Sequence, residues 1–236
     1  MPAQPFGGTF LRGTLVTGAY HILRQRIDAA AQLAGHKVSL LAVSKTKPAA
    51  AIGELAALGQ RAFGENYVQE ARAKQRELAH LALEWHLIGP LQSNKCREVA
   101  EHFDWLQTLD REKLIEPLNR QRPPDSAPLN VLIQVNIDDE ASKSGCPPDE
   151  VQRLAASIAA APRLRLRGLM AIPAPAPDVT GRRASFAAMR KLYDALKSTF
   201  PQIDTLSMGM SDDLDLAIAE GATLVRVGAA LFGARE

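Results

Sequence analysis

"VSLLAVSKTKPAAAIGELAALG", residues 38–59, changes its hydrophobic period once, and that change decides the fold. The first eight residues are a short apolar run of the kind a buried strand shows. From Pro48 to Gly59 the apolar residues recur at helical spacing, with proline at the start and glycine at the end, the order in which a helix accepts them. A buried strand feeding a helix is one βα unit of a parallel sheet. No GxGxxG follows this first strand, which argues against a doubly wound dinucleotide-binding sheet.

Seven further apolar runs follow: "RAFGEN" (61–66), "EWHLIG" (84–89), "DWLQTLD" (104–110), "LNVLIQVNI" (129–137), "LRLRGLMAIP" (164–173), "DTLSMGM" (204–210) and "LVRVGAALFG" (224–233). Between them the 3.6-residue period predicts helices near 67–82, 94–103, 111–121, 149–161, 182–199 and 211–220, with one more at 14–34 before the first strand. Eight strands alternating with helices predict a single (β/α)8 TIM barrel, a fold of about 250 residues, against the 236 residues here. The whole chain, 1–236, reads as one domain, with 1–13 as a poorly ordered extension. The proline-rich "AIPAPAPDVTG", 171–181, is too short for a linker and reads as one wall of the site entrance.

Composition narrows the partners. Lys and Arg number 28 against 26 Asp and Glu, so no long-range field for nucleic acid or membrane is expected, and the partner should be small. The two cysteines, Cys96 and Cys146, have no CxxC spacing, which argues against a disulfide framework or a zinc site and for a reducing cytoplasm. No run reaches the roughly 18 apolar residues of a membrane span. Arg12, Arg24 and Arg26 precede the first acid, Asp28, a weak echo of a transit peptide that is read here as the first helix instead.

In such barrels ligands bind at the C-terminal ends of the strands, with phosphate after strands seven and eight. That rule singles out Lys45 at the end of strand one, Asn66 at the end of strand two, "SMGMSDD" (207–213) and Arg226–Gly228. Gly209 allows close backbone approach, and Ser211 stands at the expected start of a helix, where free N–H groups attract an anion or the serine merely caps. Gly228 offers a second backbone approach nearby. Arg226 lies between two valines in a barrel strand, where an unpaired guanidinium is prohibitive. Either it pairs with a barrel acid such as Glu65 or Asp138, or it is a permanent donor aimed at a ligand's ring nitrogen or oxyanion. Lys45 opposite a phosphate cradle and near that arginine is what an enzyme or carrier needs to form a Schiff base with a phosphorylated aldehyde; otherwise its stem covers the barrel rim. His86 reads as a packed, hydrogen-bonded strand histidine or a general acid. Lys143 reads as a solvated loop charge or a ligand contact, and Asn66 as a ligand contact or a turn residue.

Together "LLAVSKTKP", "FGENYVQE", "WHLIGPLQSNK", "RLRGLMAIP", "LSMGMSDD" and "RVGAALFGARE" closely resemble the pyridoxal phosphate homeostasis protein family, single-domain relatives of the alanine racemase barrel, from about residue 38 to the C-terminus. The resemblance implies a cytoplasmic, monomeric fold type III barrel holding pyridoxal 5'-phosphate, with Lys45 as the Schiff-base lysine. It implies that Ser211 and the backbone around Gly228, including Ala229, hold the phosphate, that Met208 and Gly209 of the Ser211 motif belong to the cofactor site, and that Arg226 faces the pyridine nitrogen. The family usually has threonine where Ala229 stands, so one hydroxyl contact is missing, leaving phosphate affinity weaker or the gap filled by water. Arginine beside the pyridine nitrogen disfavours its protonation and makes the ring a poor electron sink. The chain ends three residues after its last apolar run, without the second domain that racemases use for a second acid/base. A carrier that sequesters pyridoxal phosphate and delivers it to apo-enzymes is therefore expected, with a one-base amino-acid racemase or lyase as the alternative.

Overall fold

All eight runs become strands. The computed structural model describes residues 8–140, 143–175 and 178–233, with side chains from Val16 onward. The strands are β1 (Ser39–Val43), β2 (Ala62–Glu65), β3 (Glu84–Leu87), β4 (Trp105–Leu109), β5 (Leu129–Gln134), β6 (Leu164–Met170), β7 (Thr205–Ser207) and β8 (Leu224–Val227). Each pairs in parallel with the next, and β8 returns to β1 in the register Leu41↔Arg226, closing the barrel. Closure leaves no edge strand, and parallel strands covered on both faces read as the near-continuous apolar runs seen in the sequence. Register shifts in the β4–β5 and β5–β6 pairings mark bulges on that side of the barrel.

The helices are α1 (Gly8–Ala34), α2 (Ala49–Ala57), α3 (Val68–Glu77), α4 (Cys96–His102), α5 (Ile115–Gln121), α6 (Val151–Ala159), α7 (Val179–Thr199), α8 (Leu214–Ala219) and α9 (Ala229–Phe232). Several boundaries differ from those expected, among them the end of α3, at Glu77 rather than near 82. α1 starts at Gly8, six residues before the helix expected at 14–34, while 1–7 lie outside the described residues. α7 begins at Val179 because Asp178 caps it, accepting from Gly181 N–H at 2.8 Å. α8 begins only at Leu214, because Asp213 accepts the Met210 N–H at 2.7 Å and folds 210–213 into a turn. β8 stops at Val227, and the rest of the eighth run is the short α9, ended by Gly233 at φ 78°.

Two kinds of interior result. Between sheet and helices lies a continuous apolar shell in which outward strand residues such as Leu40, Phe63 and Val225 meet Ile52, Leu118, Ile158, Phe186 and Leu196 of the helices. Each fully buried large side chain there contributes about 1.5–3 kcal/mol. Inside the barrel, among the described residues, Trp105, Leu132 and Met170 form a small apolar cluster. The remaining interior includes the buried polar residues His86, Gln107, Ser207 and Arg226. α1 is tied to the last βα unit by Arg26, which grips the Asp215 carboxylate and donates to the Ser211 carbonyl at 3.2 Å.

Candidate functional site

Lys45 lies two residues past β1, half-buried, in a turn closed by Lys47 N–H donating to Ser44 O at 3.1 Å. Its neighbour Thr46 has φ 64°, a left-handed conformation costly for a β-branched residue. The turn is held from the sheet–helix layer. Lys74 of α3 donates to Glu65 (2.7 Å), Glu70 (2.6 Å) and the Ser44 carbonyl (2.8 Å). Glu65 also accepts from Ser44 Oγ at 2.5 Å, and Glu70 from the strained Thr46 N–H at 2.6 Å. Burial pushes the Glu65 carboxyl up, and Lys74 and Ser44 pull it back toward its ionised form. This clamp escaped the sequence reading. Its one visible signal was Glu65 itself, a carboxylate inside an apolar run.

Arg226 is 4% exposed and donates through Nη1 to Ser207 Oγ at 2.7 Å and through Nη2 to the Ala171 carbonyl at 2.8 Å. The salt-bridge alternative fails for both acids named: Glu65 is engaged by Lys74, and Asp138 accepts from Ala174 N–H and Ser185. Burial pushes the guanidinium down to about 10, with Asp213 as the opposing charge, so it is a cation at neutral pH. Its partners are neutral oxygens.

Around it the two backbone approaches converge. Gly209, at φ 90°, accepts the Arg226 N–H at 3.0 Å, and a Cβ there would stand 2.5 Å from that of Ala217. A Cβ on Gly228 would sit 3.1 Å from the Val43 carbonyl, so glycine lets β8 run tight against β1 below Lys45. Gly228 lies just past β8 rather than within it, and with Ala229 it opens α9, whose first N–H groups have no partners within the helix. Ser211 is half-buried in the 210–213 turn and is not the cap of α8, which is Asp213. The Met208 side chain is buried in the apolar shell, and its N–H donates to the Leu224 carbonyl at 3.2 Å. Arg182 of α7, which the sequence reading passed over, stands 3.5 Å from Asp213 with its Nη1 buried and unpartnered.

Asn66 and Lys143 share a cavity of about 180 Å³ with Ile88, Gln134 and Ile172, so the proline-rich loop does form part of its wall. Asn66 Oδ1 is buried without a hydrogen-bond partner. Lys143 is half-buried, donates to the Pro173 carbonyl at 3.0 Å and lies 3.6 Å from Glu140, joining the β5 and β6 loops. His86 is away from this mouth, stacked on Trp105 at 5.0 Å inside the barrel and bonded to Glu84 and Gln107.

These residues fit a phosphorylated aromatic aldehyde. An amine, an orphaned amide oxygen, two glycine-lined backbone approaches and a buried cation facing neutral oxygens supply one partner for each of its polar groups. Among the described residues no group of His, Cys, Asp and Glu could hold a metal ion, and no helix is long and apolar enough to cross a membrane.

The fold and this arrangement define a barrel of the alanine racemase type, and residues 20–236 match the alanine racemase N-terminal domain family. The chain is 57% identical over 214 residues to the pyridoxal phosphate homeostasis protein of Pseudomonas aeruginosa, covering 89% of this chain and 92% of that one. To the protein of the same name from Escherichia coli K12 it is 56% identical over 220 residues, covering 91% and 94%. A solved structure of PipY from Synechococcus elongatus with pyridoxal phosphate bound superposes with a TM-score of 0.82 at 40% identity, over 92% of this chain and all of that one. The chain belongs to the pyridoxal phosphate homeostasis protein family.

Proposed function

We propose that this chain binds pyridoxal 5'-phosphate through Lys45 and acts in the homeostasis of that cofactor, sequestering it in the cytoplasm and delivering it to apo-enzymes without turning over a substrate. The observation that carries the reading is Arg226: a buried cation whose partners are neutral oxygens, set below the mouth where Lys45 ends its turn. The bound group would supply an aldehyde carbon and an aromatic ring. Lys45 would supply the amine for that aldehyde, a condensation that would release water. Ser211 and the N–H groups at Gly228 and Ala229 offer donors to the phosphate. Asn66 offers a donor and acceptor at the ring's edge, and Arg226 a permanent donor to the ring nitrogen. Because a guanidinium does not hand over its proton at neutral pH, Arg226 would leave the ring nitrogen unprotonated and would keep carbanion chemistry slow. The relatives named for homeostasis and the PipY complex support the same ligand. We read the protein as a monomer, a reading checked by size-exclusion chromatography with light scattering.

The test is visible absorbance of the purified protein with pyridoxal phosphate, before and after Lys45→Ala, followed by borohydride trapping and mass mapping. A long-wavelength band trapped on Lys45 and absent from the variant supports the reading. Trapping on another lysine, such as Lys143, overturns the site. Exchange of an amino acid's Cα proton faster than with free cofactor would replace the carrier by a one-base racemase or lyase.

A further inference from the structure

Arg226 is the end of a longer hydrogen-bonded chain. Ser207 Oγ, which accepts from Arg226 Nη1 at 2.7 Å, donates to Gln107 Oε1 at 2.8 Å. Gln107 Nε2 stands 2.9 Å from His86 Nδ1, and His86 Nε2 stands 2.8 Å from Glu84 Oε1. The chain crosses the barrel interior through β8, β7, β4 and β3, from a buried guanidinium to a carboxylate 46% exposed.

The proton positions are fixed by what each group can do. Glu84 is held in its ionised form chiefly by His86, so it accepts, and His86 carries its proton on Nε2. Nδ1 must then accept, which turns the Gln107 amide nitrogen toward it and leaves Oε1 facing Ser207. Ser207 spends its one proton on Oε1 and has only lone pairs for Arg226. Reversing any one link would set two donors or two acceptors face to face, which in a dry interior costs the full desolvation of both.

We infer that Ser207, Gln107 and His86 are positioning residues for Arg226, locking the guanidinium in one orientation toward the ligand's ring nitrogen. The inference rests on the ligand reading above. One Arg226 face is held by Ser207, itself bonded to Gln107, and by the carbonyl of Ala171, whose N–H donates to Ser207 O at 3.1 Å, so the donors that remain are aimed by the chain rather than by the ligand. The exposed Glu84 sets the polarity from the opposite side of the barrel from Lys45's turn, with Trp105 stacked on His86 to keep the imidazole plane.

The experiment compares wild type with Arg226→Met, Ser207→Ala, Ser207→Thr, Gln107→Met and the double variant Ser207→Ala/Arg226→Met. For each, pyridoxal phosphate affinity, the visible band of the bound ligand and the pH midpoint of that band are measured, with thermal unfolding alongside. Ser207→Ala and Gln107→Met should each weaken binding about 2- to 10-fold, the worth of one hydrogen bond, and shift the band and its midpoint. Ser207→Thr, which keeps the hydroxyl, should restore them. In the Arg226→Met background Ser207→Ala should add nothing to affinity or spectrum. If Arg226→Met perturbs the ligand while Ser207→Ala and Gln107→Met change only thermal stability, the positioning chain is overturned and the site stands. If Arg226→Met leaves affinity and band unchanged, Arg226 does not face the ligand, and both readings fall.

Discussion

Lys74 and Arg226 are both buried cations a few side chains from the barrel mouth, and they are satisfied in opposite ways. Lys74 meets two carboxylates, Glu65 and Glu70, and a carbonyl, which closes its charge within the protein. Arg226 meets a hydroxyl and a carbonyl. A third buried cation, Arg122, shows what neutral partners do when the role is purely structural: it binds the Ala100, Phe103 and Ala127 carbonyls, two of them at the end of α4 where the helix dipole is negative. Arg226 has no such helix end. The difference teaches that charge compensation, more than burial, separates a cation that supports the fold from one held in reserve for a ligand.

The largest expected effect lies on the compensated side. Lys74→Met strands Glu65, whose second oxygen already lacks a partner, and breaking a buried pair in this way costs about 3–5 kcal/mol. Chemical denaturation should show that loss, and it should be greatest at alkaline pH, where the stranded carboxyl cannot stay protonated. Removing both partners in Lys74→Met/Glu65→Leu should recover more than half of it. A single-variant loss below about 1 kcal/mol would mean the two cations do not differ as argued.

On the Arg226 side, where Asp213 acts through space and no carboxylate is bonded, the order of effects reverses. Arg226→Met relieves the desolvation of the guanidinium and leaves only two neutral acceptors unpaired, so unfolding free energy should change by no more than about 1 kcal/mol. Pyridoxal phosphate binding should weaken about 10- to 100-fold, the worth of a charged hydrogen bond at 1.5–3 kcal/mol. Isothermal titration beside a denaturation curve separates the two quantities. A variant that loses as much stability as Lys74→Met and binds normally would make Arg226 another structural cation.

The same contrast explains what the sequence could convey. Lys45 and Arg226 were legible because a charge at the end of, or within, an apolar strand run is anomalous wherever the chain folds. Lys74 was not, since in "VQEARAKQRE" a lysine reads as one more solvated helix charge until the tertiary placement of α3 against the β1 turn buries it. The eight strands were legible because both their faces are buried. The start of α8 was not, because it depends on the turn that Asp213 closes by accepting the Met210 N–H, which delays the helix past Ser211. Gln107 and Ser207 stood in plain view in "LQTL" and "LSMG". Which polar residue faces which across a closed barrel depends on strand tilt and on the bulges flanking β5, neither of which the hydrophobic period records.

His86 offers the smallest effect and the sharpest view of the barrel's polar interior. Burial pushes its imidazole below the ordinary value, against the pull of Glu84 and Asp104 and with the further push of Arg167 beneath the Trp105 ring. The folded protein therefore holds it neutral at a pH where the unfolded chain, near 6.5, begins to protonate. Below about pH 6.5 the unfolded state binds a proton that the native state refuses, so stability falls as pH falls and goes on falling until the depressed native value is passed, by at most about 1.4 kcal/mol per pH unit. Glu84, held low chiefly by its bond to His86, acts in a different window: its contribution is lost only below its unfolded value near 4.5. Denaturation curves between pH 7 and 5 should show wild type losing stability that His86→Gln does not lose, with the two converging toward pH 5. Parallel curves would mean that His86 takes up its proton in the native barrel as readily as in the unfolded chain. Its Nδ1 would then be a donor facing the donor of Gln107, and the polar interior would have to run in the opposite sense from the one that leaves Ser207 its lone pairs for Arg226.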